Sequence, residues 1–273
     1  MLLLRVTGSN KGLGFGIVRA LCKQFDGDVI LTSRDEGRGQ EAVRQLNKEG
    51  LQPKFHQLDV LDSASIRALR DFLSNTYGGL DVLVNNAGVA FKANATESFA
   101  EQAEVTLRTN FWAVLEVCEQ LFPLLRPHAR VVNISSLTSG MSIKRCSPEM
   151  QAKLKDPNMT LDQLKQLMTG FVSAAKNGTH KEAGWADWAY GISKIGVRIL
   201  TAIQQKQIDA KDKDKDILVN CCCPGYVDTD MTSHKGTKTI DEGAETPVMV
   251  ALIPPNATSP RGEYLSEKKV EKW

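Results

Sequence analysis

Thr7-Gly8-Ser9-Asn10-Lys11-Gly12-Leu13-Gly14 decides how the first third of the chain is read. It lies between Leu2–Val6, a short apolar run that reads as a strand, and Leu13–Phe25, where Ile17, Val18, Leu21 and Phe25 fall on one helical stripe. Glycines let a backbone come close to a pyrophosphate. The free N–H groups and positive dipole end of a helix start favour an anion there. The spacing is G-x-x-x-G-x-G rather than the more familiar G-x-G-x-x-G. Alone, the turn also has a purely structural reading, a tight βα connection without a ligand. Its strand–turn–helix setting favours the nucleotide.

Outward from this turn the alternation continues. Strands are expected at Val29–Leu31, Phe55–Leu58, Val82–Val84 and Val131–Ile134. Helices are expected over Gly37–Glu49, Ser63–Tyr77 and about 100–121. Strands alternating with helices imply βαβ units, a buried parallel sheet and right-handed crossovers. After Ser136 the rhythm stops: about 137–189 holds no strand signal. Within it Thr160-Leu-Asp-Gln163 has the form of a capping box, and Leu161, Leu164, Leu167, Met168, Phe171 and Val172 follow at helical spacing. This predicts an inserted amphipathic helix. The rhythm resumes with a helix from Trp188 to Gln207, a strand from Ile217 to Cys222, and a short helix and strand near 243–252 and 263–266. Lys211-Asp-Lys-Asp-Lys-Asp216 reads as a solvated turn. The fold expected is α/β: one Rossmann-type domain over 1–273, a doubly wound parallel sheet of about seven strands, with the insertion at about 137–189.

The 34 basic and 32 acidic residues give a net charge of +2, which offers no electrostatic footprint for nucleic acid or an anionic membrane. No stretch approaches membrane-spanning length, and Met1-Leu-Leu-Leu-Arg5 is too short for a signal-peptide apolar region. The six cysteines show neither C-x-x-C zinc spacing nor a disulfide framework, so a cytoplasmic protein is expected. The four histidines are scattered without metal-ligand spacing, and no metal is expected.

Four further features carry chemistry. Asn85-Asn86-Ala87-Gly88 follows the strand Val82–Val84, at the carboxyl end where ligands bind a doubly wound sheet, although by itself it is also an ordinary polar loop. Tyr190-Gly-Ile-Ser-Lys194 puts a phenol and an ammonium on one helix face. A phenol near pKa 10 is a poor acid–base catalyst at neutral pH unless a neighbouring cation favours phenolate. An amphipathic surface pair is the bland alternative. Asn133-Ile-Ser-Ser136 ends one strand and Pro224-Gly225 follows another.

These five motifs, in register over nearly the whole chain, resemble the short-chain dehydrogenase/reductase family. Most members separate the serine and tyrosine by a dozen or so positions, whereas Ser136 and Tyr190 here are 54 apart. That insert, with Glu242–Pro247 and the terminal Val270-Glu-Lys-Trp273, is similar to the monomeric cytosolic carbonyl reductases of the family. The resemblance implies that Tyr190 donates a proton to a carbonyl oxygen as hydride reaches the carbon. It implies that Lys194 holds the nicotinamide ribose and lowers the tyrosine pKa, that Ser136 steadies the developing oxyanion, and that Asn110 positions a water in the proton relay. Gly8, Asn10, Lys11, Gly12, Leu13 and Gly14 would hold the phosphates, Asn86 the ribose, Asp59 with Val60 the adenine, and Val227 and Thr229 the carboxamide and phosphates. Ser136, Tyr190, Met141, Trp185 and Tyr226 are expected to wall the substrate. Phe91-Lys92-Ala93 and Gln102 match a glutathione-binding region, so glutathione conjugates join small carbonyl compounds as candidate partners.

NAD-specific sites place a carboxylate after the second strand. Arg34 stands there instead, suited to grip a 2′-phosphate, and Lys11 adds a second cation, so NADPH/NADP+ is expected. Asp35 could turn toward the ribose or simply order Arg34. The expected activity is NADPH-dependent reduction of ketones, aldehydes and quinones, with steroids and prostaglandins in range. A dedicated 20β-hydroxysteroid dehydrogenase and a catalytically idle NADP(H) sensor are the alternatives. The insert should cover the helix surface that pairs subunits in tetrameric members, giving a monomer. Cys221-Cys-Cys223 reads as core, with reactivity toward quinones as the sharper alternative. Arg5 interrupts an otherwise apolar strand and is expected near its edge, stem buried, or paired with a carboxylate.

Overall fold

The computed structural model describes residues 2–92 and 94–273. Eight strands form one sheet: β1 (Leu2–Val6), β2 (Gly27–Ser33), β3 (Lys54–Gln57), β4 (Leu80–Asn85), β5 (Leu125–Ile134), β6 (Leu218–Cys222), β7 (Tyr264–Ser266) and β8 (Lys269–Val270), in the order β3-β2-β1-β4-β5-β6-β7-β8. All neighbours are parallel except β7 and β8. The expectation of about seven strands misses β8, a two-residue return too short to leave a periodic signal. The strand order reverses between β1 and β4, which opens a crevice at their carboxyl ends.

Side chains alternate across a strand, and both faces of this sheet are apolar. Leu4, Val6, Leu31, Val84 and Val132 pack against α1 (Gly12–Gln24), α2 (Glu36–Lys48) and, last in the chain, α10 (Ile240–Ala251). Leu3, Ile30, Leu83, Val131 and Val219 face the other layer: α3 (Ser63–Tyr77), α4 (Phe99–Leu107), α5 (Ala113–Leu121) and α9 (Ala189–Asp212). α3 matches its sequence boundaries. Asp62 caps its start by accepting from Ala64 N, and Gly78 ends it in the left-handed region.

The helix expected over about 100–121 is interrupted. Between α4 and α5, Arg108–Trp112 forms a π turn with Asn110 at its centre. The insert holds three helices rather than one: α6 (Thr138–Ile143), α7 (Pro148–Leu154) and α8 (Leu161–Lys176). The capping box starts α8 as read, with Gln163 N donating to Thr160 Oγ1 at 3.2 Å and Thr160 N donating to Gln163 Oε1 at 2.8 Å. α8 packs on α4 and α9 through Leu164, Met168 and Phe171, all 0% exposed. No helix among the described residues is long and apolar enough to cross a membrane.

Two expectations are corrected here. The 211–216 run is not merely a solvated turn: α9 continues through Asp212, and the Asp216 carboxylate accepts from Arg130 at 3.0 Å, His128 at 2.8 Å and Asn256 N at 2.7 Å. These long-range partners are invisible in a local charge pattern. Arg5 is neither at an edge nor paired. It is 0% exposed in central β1, facing the α3/α5 layer as Leu3 does, and none of its three guanidinium nitrogens has a hydrogen-bond partner.

Candidate active site

The crevice between β1 and β4 is stitched together by Thr7. Its hydroxyl accepts from Asn86 N and Ala87 N, both at 2.8 Å, fixing the end of β4 against the glycine turn. Gly12 opens α1 at φ +56, a conformation that favours glycine, and a Cβ on Gly14 would lie 2.5 Å from Asn86 Nδ2. Lys11 is the N-cap of α1 but gives no side-chain cap. The first N–H groups of the helix are therefore unspent and suited to a phosphate. Thr229 sits against Gly12, and Val227 is buried beside Gly243 of α10, so the loop after β6 closes over the turn.

Beyond β2, the Asp35 carboxylate accepts from Arg38 N at 2.8 Å as the N-cap of α2. That settles its direction: it is turned to its own helix. Arg34 is exposed with no side-chain hydrogen bond or ion pair among the described residues, leaving its fork open to a bidentate anion. These features fit a 2′-phosphorylated dinucleotide. Asn10 and Leu13 are partly buried within the turn. Asp59 lies just past β3 with one carboxylate oxygen held by Leu61 N at 2.9 Å, and Val60 follows, half-buried.

Three expected site residues, two for the cofactor and one for the proton relay, have other occupations. Lys11 Nζ is bonded to Asp230 at 2.6 Å, an exposed pair that must part for the ammonium to meet a phosphate. The Asn86 amide donates to Thr7 O at 2.9 Å and Gly8 O at 3.0 Å, so it braces the turn rather than reaching outward. The Asn110 amide is likewise saturated, accepting from Val89 N at 2.8 Å and donating to Val89 O at 2.9 Å and Ser193 Oγ at 3.1 Å. Its place in a π turn suits a functional position, because such turns interrupt the regular carbonyl ladder.

Tyr190 and Lys194 occupy the first two turns of α9, and Ser136 ends the loop after β5. The Ser136 hydroxyl hydrogen-bonds the phenol. Burial pushes Tyr190 up to about 12, with the Ser136 bond pulling the other way. Lys194 is 5% exposed; its Nζ donates to Ile134 O at 2.8 Å and lies 5.6 Å from the Tyr190 ring centroid. Burial lowers Lys194 from 10.5 to about 8.

On the substrate side, Met141 and Tyr226 are 42% and 45% exposed beside Ser136 and Pro224-Gly225. Leu137 and Met231 are also exposed, at 44% and 41%; Leu137 escapes a motif reading because its only signal is its place after Ser136. Trp185 does not join them. It is 5% exposed and packs edge-on to Phe171 at 5.3 Å, inside the insert's own core. Phe91 is half-buried and Lys92 exposed, Ala93 lies outside the described residues, and the Gln102 amide is spent on Glu97 O at 2.9 Å. Cys221, Cys222 and Cys223 are 0%, 0% and 2% exposed, and burial raises all three thiols, so the core reading holds.

A polar ladder that the sequence did not disclose supports the site from below. Asn85 Nδ2 donates to Asn133 Oδ1 at 2.8 Å, and Asn133 Nδ2 donates to Thr201 Oγ1 at 3.0 Å and Gln204 Oε1 at 3.3 Å. It ties β4, β5 and α9 into one frame.

Comparison with known proteins agrees with this geometry. Residues 3–148 match the family model described as short chain dehydrogenase. The chain is 54% identical over 268 residues to carbonyl reductase [NADPH] 1 of Pongo abelii, covering 98% of this chain and 97% of that one. It is 53% identical, with the same coverage, to carbonyl reductase [NADPH] 3 of Rattus norvegicus. Among solved structures, salutaridine reductase from Papaver somniferum superposes with a TM-score of 0.87 at 33% identity, covering 97% of this chain and 99% of that one. Menthone neomenthol reductase from Mentha piperita gives 0.80 at 30%, covering 97% and 98%. With sheet order, glycine turn and the serine–tyrosine–lysine cluster all in place, the chain belongs to the short chain dehydrogenase family.

Proposed function

We propose that the protein is an NADPH-dependent carbonyl reductase acting on ketones, aldehydes and quinones. The observation that carries this reading is the Tyr190 phenol set beside Ser136 and backed by the buried Lys194 side chain one helical turn on, at the mouth of a crevice suited to a dinucleotide. Bound NADPH supplies the hydride. Gly8, Asn10, Gly12, Leu13 and Gly14 hold its phosphates with the unspent N–H groups of α1, and Arg34 grips the 2′-phosphate. Lys11 joins after leaving Asp230. Asp59 and Val60 would hold the adenine, and Val227 and Thr229 the nicotinamide half.

Ser136 donates to the carbonyl oxygen as negative charge builds there, which is worth most in a water-poor site. Tyr190 gives that oxygen its proton. Lys194 holds the ribose hydroxyls, and its charge steadies the phenolate left behind. The backbone of the π turn around Asn110 holds the water through which Tyr190 is reprotonated. Leu137, Met141, Tyr226 and Met231 offer an apolar rim, which favours flat hydrophobic carbonyl compounds over small charged ones. We further propose a monomer, because α8 lies on α4 and α9, and a cytosolic setting, consistent with six unpaired cysteines. Consumption of NADPH by the purified protein with menadione and with an aromatic aldehyde, much faster than consumption of NADH, tests the activity. Binding of NADPH without turnover of any carbonyl compound would replace this reading with that of a sensor.

A further inference from the structure

The geometry points to the C-terminal tail as a positioning element for the catalytic serine, acting through Arg198 and Tyr264. This inference rests on the function proposed above. Arg198 lies on α9, one turn beyond Lys194, and is 8% exposed. Its guanidinium sits 4.2 Å from the Tyr264 ring centroid and 3.9 Å from that of Trp273, and its Nη2 donates to Glu271 O at 2.8 Å. Glu271 N in turn donates to Tyr264 O at 2.9 Å. A cation that stacks on aromatic rings and is shielded from water gives one of the stronger cation–π contacts. It fastens residues 271–273 to α9.

Tyr264 carries the effect inward. It is 4% exposed and packs with Cys221 and Cys223 in one buried cluster. The Cys223 sulfur accepts from Leu137 N at 3.1 Å and from Gly225 N at 3.3 Å. Leu137 follows Ser136, and Gly225 begins the loop that closes over the glycine turn. One thiol thus pins the two backbone segments that set where Ser136 stands relative to Tyr190, and the tail holds the tyrosine that holds the thiol. None of these residues touches the reacting atoms. They act by fixing Ser136, whose misplacement by about 1 Å costs on the order of 100-fold in rate.

The test compares Trp273→Ala, Trp273→Phe and Arg198→Leu with the parent protein. Trp273 is 40% exposed, so its alanine variant should fold. The first readout is alkylation of the folded protein by N-ethylmaleimide without cofactor, each cysteine followed by mass spectrometry. In the parent only half-buried Cys22 should label readily, the other five cysteines being buried. In Trp273→Ala and Arg198→Leu, Cys223 should label at least about tenfold faster while Cys118 and Cys146 stay protected. The second readout is carbonyl reduction, where kcat should fall about tenfold with KM for NADPH unchanged, and Trp273→Phe should restore both readouts. Unchanged Cys223 labelling would overturn the inference. So would labelling of all buried cysteines together, which would signal general loosening. A parent protein that reduces no carbonyl compound would instead remove the proposed function, a failure that the labelling pattern distinguishes.

Discussion

Replacing Arg5 with methionine should make this protein more stable. The side chain is 0% exposed in β1, the strand that borders the switch point of the sheet, and its three nitrogens have no hydrogen-bond partner among the described residues. Burial draws its pKa from 12.5 to about 9, the nearest charge-related influence being the Cys118 thiol. At ~1.4 kcal/mol per pH unit that gap corresponds to at most about 5 kcal/mol, and replacing a buried charge by a hydrophobe commonly gains about 1–4, so about 3–5 kcal/mol is expected at neutral pH. Methionine fills much of the same volume and asks for no partner. With an unfolding entropy of about 2.1 cal/mol/K per residue, the midpoint of a chain this long should rise on the order of 5–10 °C. The pH dependence has a definite sign. Between about pH 9 and 12.5 the unfolded arginine binds a proton more tightly than the folded one, so the parent gains stability with rising pH there. The variant's advantage should be full below pH 9 and shrink by about 1.4 kcal/mol per pH unit above it. Denaturant melts of both proteins at pH 7 and pH 10 measure this directly. Equal stability at pH 7, or an advantage independent of pH, would show that the guanidinium is satisfied in solution and refute the reasoning.

The remaining expectations concern the cofactor and the proton. Arg34→Asp removes the open guanidinium and sets a carboxylate against the 2′-phosphate, so KM for NADPH should rise about 10- to 100-fold while that for NADH changes little; equal effects on both cofactors would remove Arg34 from the phosphate site. Burial sets Lys194 at about 8 and Tyr190 at about 12. Reduction needs both groups protonated, so kcat/KM should be level below pH 8 and fall about tenfold per pH unit above it. A profile flat to pH 10 would mean that the lysine charge takes no part.

Local periodicity and spacing made the sheet, the glycine turn, the Tyr190–Lys194 pair and the capping box before α8 legible, because each is a short-range pattern. Asp35 could be read two ways until Arg38 N was seen to occupy its carboxylate. What stayed hidden depends on partners far away in the chain. Lys11 meets Asp230, Asp216 meets Arg130, and the 198–264–273 cluster joins a helix to the last residues. Trp185 was misjudged for the same reason: an aromatic beside a catalytic motif can face the cleft or the core, and Phe171 decided it. The π turn at Asn110 inserts no unusual residue into α4–α5. The amide at its centre is bonded to Val89 and Ser193, which lie far from it in the chain.

Removal of a single oxygen tests the chemistry most directly. Tyr190→Phe keeps the ring and the packing, so NADPH binding measured by fluorescence titration should be unaltered while carbonyl reduction falls by at least about 100-fold. Turnover at the parent rate in a variant that still binds NADPH would mean that the proton comes from elsewhere and that the site has been misread.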